Sequence, residues 1–151
     1  MIVLRGVLVV LMSCLCAPAF GGPAEDANAV IDQWAAAFNA NDATAVVQLY
    51  TTDGVVLGTV SPTIAQGTDA IRAYFSRLPG SGNKVVIGER RTIVINDAAV
   101  ATAGFYEFMP IRDGGPVPTP ARFAFLVVKR DGRWLIAHHH SSFRPKPPQP
   151  Q

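Results

Sequence analysis

All the imidazole in the chain sits in one run, His138-His139-His140. An imidazole near neutrality can both donate and accept a proton, so a histidine in an apolar pocket suits general-base chemistry or ligand binding. His139 and His140 are the catalytic candidates on that ground. The run lies in a strand-like stretch, and a strand sends successive side chains to opposite faces. His138 and His140 therefore share one face while His139 takes the other, and the three do not converge on one metal ion. A two-histidine metal site would need Glu89 or Glu107 to complete it, and the sequence places neither, so no metal is expected. The plainer role is structural, with imidazoles bonded to Ser141, Ser142 or backbone in a partly buried sheet or subunit contact.

Arg122 stands between Ala121 and Phe123 in an otherwise apolar strand, so its charge must be paired or reach water. Glu89 or Glu107 on adjoining strands are natural partners for a structural pair. As a functional alternative, Arg122 with a histidine and Tyr106 would bind a ligand carboxylate through a planar fork. Asp42 reads as a helix cap and Asp53, beside Gly54, as a turn former.

These residues need a scaffold, and the apolar spacing supplies one. Ala27, Val30, Ile31, Trp34, Ala35 and Phe38 recur at helical spacing and predict one long amphipathic helix, interrupted at Asn39 to Asn41. Asp42 opens a short second helix with Val46, Val47 and Tyr50 on one face, ended by a turn at Thr51-Thr52-Asp53-Gly54. Val55 to Val60 is strand-like. Thr68 or Asp69 caps a third helix carrying Ile71, Tyr74, Phe75 and Leu78. Beyond the loop Pro79 to Asn83 the pattern is antiparallel sheet. Lys84–Ile95 meets Ala98–Met109 across Asn96-Asp97, and Ala121–Lys129 meets Trp134–Ser142 across Arg130-Asp131-Gly132-Arg133. Pro110 to Pro120, with four prolines and two glycines, is a rim or lid loop.

The register of that last hairpin stays open. A two-residue turn pairs Phe125 with His138. A glycine bulge instead groups Arg122, Ala124 and Leu126 with Trp134, Ile136, His138 and His140. Either way one histidine face meets the helices.

Helices first and a long curved sheet afterwards predict an α+β cone, with the long helix on the concave side and a cavity at one end. A broad sheet with one uncovered face exposes apolar area, so dimerisation through that face is expected. The 151 residues carry 49% hydrophobic and 16% charged residues, as a globular domain does. The basic residues are scattered and the formal charge is only +2, which argues against a nucleic-acid partner.

Residues 1–19 read as a signal peptide: Arg5, the apolar run Val7 to Met12, then Ala17-Pro18-Ala19. That run is too short to span a bilayer comfortably, so no stable membrane insertion is expected after cleavage. Cleavage would remove both cysteines, Cys14 and Cys16, and the Arg5 charge, leaving a thiol-free chain of formal charge +1 suited to a periplasmic or secreted setting. Lipidation at Cys14 is the alternative. The far end, Pro145 through Gln151, reads as an extended proline-rich tail from 146 onward.

The stretch Arg130-Asp131-Gly132-Arg133-Trp134-Leu135-Ile136-Ala137-His138-His139-His140-Ser141-Ser142 resembles the closing hairpin of the association (hub) domain of calcium/calmodulin-dependent protein kinase II. Trp34, Leu49-Tyr50, Asp53-Gly54-Val55, Gly67, Ile71, Tyr74-Phe75, Glu89-Arg90 and Ala121-Arg122-Phe123 are similar to its stand-alone bacterial relatives, the SgcJ/EcaC group. The resemblance covers residues 25–145 and implies a cystatin-like, or nuclear transport factor 2-like, cone that assembles as a dimer or larger ring. It also implies a small-molecule cavity, as in SnoaL-like cyclases and ketosteroid isomerase, with Trp34 and Tyr50 near the pocket. The pocket set expected from residues and resemblance together is Trp34, Tyr50, Glu89, Tyr106, Arg122, His138, His139, His140 and Ser141. One departure matters. Ser141 and Phe125 stand where the eukaryotic hub has pocket arginines, so the hub's anion site does not carry over intact.

No phosphate loop, strand lysine or catalytic loop of a kinase is present, and no dinucleotide fingerprint, haem pair or thiol couple supports a redox cofactor. No cofactor is therefore expected. The sequence supports an exported, self-associating cone that binds a small molecule. The alternative is a SnoaL-like or isomerase-type enzyme with a cavity histidine as base and Arg122 or a tyrosine polarising a carbonyl.

Overall fold

The computed structural model describes residues 21–146, so the leader with Cys14 and Cys16, and most of the proline-rich tail, lie outside the described residues. Helix α1, Pro23–Asn39, begins with proline in its first turn and has Glu25 and Asp26 there, where exposed N–H groups favour acidic side chains. Its buried stripe is Ala27, Val30, Ile31, Trp34, Ala35 and Phe38, as the spacing predicts. Asn41 follows with φ 57°, a left-handed conformation that asparagine tolerates. Its side chain donates to the carbonyls of Phe38 (3.0 Å) and Asn83 (2.8 Å) and accepts from Gly82 N–H (2.7 Å), tying the end of α1 to the loop before the sheet.

Helix α2, Ala43–Gln48, is capped by Asp42, whose carboxylate accepts from Ala45 N–H at 2.9 Å. The turn expected at Thr51 to Gly54 is instead part of strand β1, Tyr50–Leu57. β1 pairs in parallel with the last strand at Tyr50↔Ile136 and resumes at Val55↔His138, so the residues between bulge out of register. Gly54 permits this. A Cβ there would lie 3.0 Å from the Thr51 carbonyl and 3.3 Å from that of Ile136, both backbone atoms. Asp53 is thus a strand residue and faces Arg130 at 3.5 Å.

After the short strand β2, Ala65–Gln66, helix α3 spans Thr68–Tyr74. Gly67 precedes it at φ 82°, and no side chain caps it; Asp69 pairs with Arg72 instead of capping. Strands β3 (Lys84–Asn96) and β4 (Ala99–Met109) form the first hairpin, β7 (Thr119–Arg130) and β8 (Arg133–Phe143) the second. The proline-rich loop between them carries a two-rung ribbon of β5 (Ile111–Arg112) and β6 (Gly115–Pro116). The main sheet runs β2-β1-β8-β7-β4-β3, with β1 and β8 parallel and the other pairs antiparallel.

Gly104 bends this sheet. A Cβ on it would approach the Glu89 carbonyl to 2.5 Å, and β3 shifts register there between Ile87 and Arg90. The curvature wraps the inner face around α1, which packs against β3, β4, β7 and β8. Arg90 reaches across to Asp32 of α1 at 2.6 and 3.0 Å, and Asn28 of α1 bonds Thr92 at 3.1 Å. On β7 the core takes Ala121, Phe123, Phe125 and Val127, while Arg122 and Ala124 face water. The α+β cone expected from the sequence is the architecture observed.

Candidate functional site

The turn between β7 and β8 places Asp131 at φ 50° and Gly132 at φ 76°, the conformation of a two-residue hairpin that follows sheet twist. Pairing runs evenly from Arg130↔Arg133 to Val127↔Ile136. Then Ala137 is left over, and the next rungs are Leu126↔His138 and Phe125↔His139. This single extra residue reverses the parity of β8. Ile136 before it and His139 and Ser141 after it all turn inward, and all are buried. Neither register considered for the hairpin holds throughout: the turn is the two-residue form, yet Phe125 opposes His139 and not His138.

His139 is 3% exposed and enclosed by rings. Phe125 stacks on it at 4.0 Å between centroids, and Trp34 meets it edge-on at 5.0 Å. Both ring nitrogens are engaged by tyrosines. Tyr50 Oη lies 2.9 Å from Nδ1, and Tyr106 Oη lies 3.3 Å from Nε2. Burial holds the His139 pKa down to about 3, with His138 and His140 adding smaller repulsions, so the ring is neutral. A neutral ring donates through one nitrogen and accepts through the other. Nδ1 is the hydrogen-bond partner of the buried Tyr50 hydroxyl, so Tyr50 must donate to it to avoid an orphaned proton. Nε2–H then donates to the Tyr106 oxygen, and the Tyr106 O–H is directed to the neighbouring Ser141 and Thr59 hydroxyls and the cavity. Burial raises both phenol pKa values, keeping these hydroxyls protonated.

Tyr106 faces a cavity of about 330 Å³ between the helices and the sheet. Its floor is polar: Tyr106, His139 and Ser141, the last bonded to Thr59. The walls are apolar, with Trp34 and Phe38 from α1, Tyr74, Phe75 and Leu78 from α3 and the turn after it, and Phe108 from β4. Arg77, Asn83 and Arg112 also line it. Tyr74 closes down on Gly58, whose missing side chain leaves room for the phenol end.

Of the expected pocket residues, Trp34, Tyr106, His139 and Ser141 line this cavity. Tyr50 stands behind His139 and holds it. The other four point elsewhere. His138 and His140 occupy the outer sheet face because the Ala137 bulge sends only His139 inward. Arg122 is exposed on that outer face, bonded to Ser142 Oγ at 2.9 Å, and pairs with neither Glu89 nor Glu107. Glu89 is exposed and pairs with Arg91. Among the described residues, no group of three or more His, Cys, Asp or Glu is placed to hold a metal ion. No helix among them is long and apolar enough to cross a membrane.

Arg77, Arg112, Thr59 and Phe108 line the cavity without having been singled out in the sequence. Arg77 follows Tyr74 by three residues, which offered a faint signal; Arg112 lies in the two-residue strand β5 and Thr59 in the loop after β1, segments too short for periodicity to report.

Several solved structures share this architecture. A Xanthomonas campestris protein described as a calcium/calmodulin dependent protein kinase II association domain is 36% identical, with a TM-score of 0.77 over 85% of this chain and 92% of its own. A ketosteroid isomerase-like protein from Erwinia carotovora atroseptica is 22% identical, TM-score 0.69, over 84% of this chain and 100% of its own. An aromatic ring hydroxylase-like protein from Novosphingobium aromaticivorans is 18% identical, TM-score 0.71, over 81% and 91%. No curated protein sequence matches. The sequence profile of the SnoaL-like domain matches residues 27–145, and with the cone, its cavity and the association-domain likeness in place, the chain belongs to the SnoaL-like family.

Proposed function

We propose that this protein is an exported, self-associating cone that binds a small molecule in the cavity between α1, α3 and the sheet. One observation carries the binding role: an apolar chamber of about 330 Å³ ends on a cluster of hydroxyls, Tyr106, Ser141 and Thr59, with the Tyr106 oxygen held by His139. That volume lies near the lower end of small-molecule sites, roughly 300–1,000 Å³, and the mix of apolar wall and few polar groups is usual for them. Export rests on the leader composition at residues 1–19. Self-association is supported by the uncovered outer face, where Val86, Ile93 and Ile95 of β3 are more than half exposed, and by the likeness to an association domain.

The isomerase-type alternative draws on the same Tyr106 hydroxyl, which would polarise a ligand carbonyl. It lacks a base. His139, with a pKa near 3 and both nitrogens bonded, is too weak a proton acceptor at neutral pH, His140 lies on the opposite face, and no carboxylate among the described residues lines the cavity. Binding without turnover is the better reading.

The test is intrinsic tryptophan fluorescence, from Trp34 and Trp134, and thermal shift of the protein against a panel of small ketones, steroids and aromatic acids. Saturable quenching that Tyr106→Phe weakens is the expected result. Absence of any saturable ligand, or undiminished binding by Tyr106→Phe, would refute it. Light scattering at micromolar concentration checks assembly, and a strict monomer would remove that part.

A further inference from the structure

The cavity has two chemically different ends. At the floor, the polar groups are hydroxyls and a neutral imidazole, with no charge available. The other polar lining comes from Arg77, Asn83, Arg112 and Thr119, from the turn after α3, the loop before β3, the β5–β6 ribbon and the start of β7. Arg77 and Arg112 are exposed, and neither forms an ion pair among the described residues. Every other lining residue is uncharged, since His139 is neutral. Two guanidinium groups beside an apolar chamber with no acid to balance them favour an anion there.

Between these ends lie only rings and aliphatic groups. Trp34 and Phe38 stack at 5.4 Å, and Phe38 meets Phe108 at 5.6 Å, leaving a wall suited to a flat apolar body. An ion taken to the floor would lose its hydration with no opposite charge to replace it. At the arginine end it keeps contact with water and gains charge-assisted bonds.

We infer that the ligand is a small amphipathic carboxylate, its anionic group on Arg77 and Arg112 and its ring directed toward the Tyr106 hydroxyl. The inference rests on the small-molecule reading of the same cavity and adds polarity and orientation to it. Arg122, the arginine that the sequence points to for such a fork, is on the wrong face, and the two arginines that line the cavity come from the turn after α3 and from the β5–β6 ribbon.

The experiment compares hydrocinnamate with hydrocinnamamide, nearly isosteric and differing in charge, by Trp fluorescence titration of the protein at low and high salt. The acid is expected to bind about tenfold tighter at low salt, and salt is expected to erode that margin. The double variant Arg77→Gln/Arg112→Gln is expected to bind both compounds equally, at the affinity of the amide for the unaltered protein. Equal binding of acid and amide by the unaltered protein would overturn the carboxylate assignment while leaving a small-molecule cavity in place. A preference for the acid that survives the double variant would overturn it too, since the anion would then sit elsewhere. Failure of both compounds, together with failure of the wider panel, would remove the binding reading itself.

Discussion

The two faces of the β7–β8 hairpin carry the same residue types and put them to different uses. On the inner face His139 is buried, neutral and bonded through both nitrogens; on the outer face His138 and His140 are half-exposed neighbours along the same strand. Phe123 and Phe125 pack under α1, while Arg122 and Ala124 between them meet water. Residue type therefore says little about role at this hairpin. What separates the faces is dielectric surroundings. The inner face makes polar groups costly unless paired, so each must belong to a network, whereas the outer face tolerates them singly.

Substitution at matched positions should make that contrast measurable. The largest effect is expected from Phe125→Ala, which removes a ring packed against His139, Trp34 and Phe123 and should lower unfolding free energy by about 3–5 kcal/mol. Its outer neighbour Arg122→Ala should change stability by less than about 0.5 kcal/mol. Denaturant melts of the two variants test the pair, and similar losses would break the comparison.

Acid should act next. His139 binds a proton near pH 3 when folded and near 6.5 when unfolded, so the unfolded chain takes up more protons in between. Its contribution is complete above about pH 6.5 and declines as pH falls toward 3, by at most about 1.4 kcal/mol per pH unit. His139→Gln should flatten that slope in urea melts between about pH 6.5 and 4. An unchanged slope in His139→Gln would contradict the burial assignment.

At neutral pH, His139→Ala should cost about 1–3 kcal/mol through the stranded Tyr50 hydroxyl alone, before any cavity effect. His138→Ala should stay within about 0.5 kcal/mol. The smallest test lies outside the hairpin. Asp42→Ala removes the cap of α2 and should cost about 1 kcal/mol in the same melts, a reference for what one exposed hydrogen bond contributes.

Local chemistry made much of the fold legible. The α1 stripe, the Asp42 cap, both long hairpins and the proline-rich loop follow from spacing and turn residues, because those signals depend on neighbours a few positions away. The failures share a cause. Thr51 to Gly54 reads as a turn by composition, yet parallel pairing with β8, more than eighty residues further on, draws it into a strand. Thr68 and Asp69 look like caps, but the chain enters α3 through Gly67 in a left-handed conformation.

The candidate site was less legible than the fold. Trp34, Tyr106, His139 and Ser141 were in the expected set and line the cavity, while Glu89, Arg122, His138 and His140 were in it and do not. Those four misplacements follow from parity and from which face the helices cover, and neither is written in residue type.

From its own residues the chain determined an α+β cone, an alternating closing hairpin and a histidine on each of its faces, because periodicity and turn chemistry are local. The tertiary structure alone decided which imidazole enters the cavity. One unpaired residue, Ala137, inverts the alternation where β8 must pair with β7 on one side and β1 on the other, and that constraint exists only once all three strands are assembled.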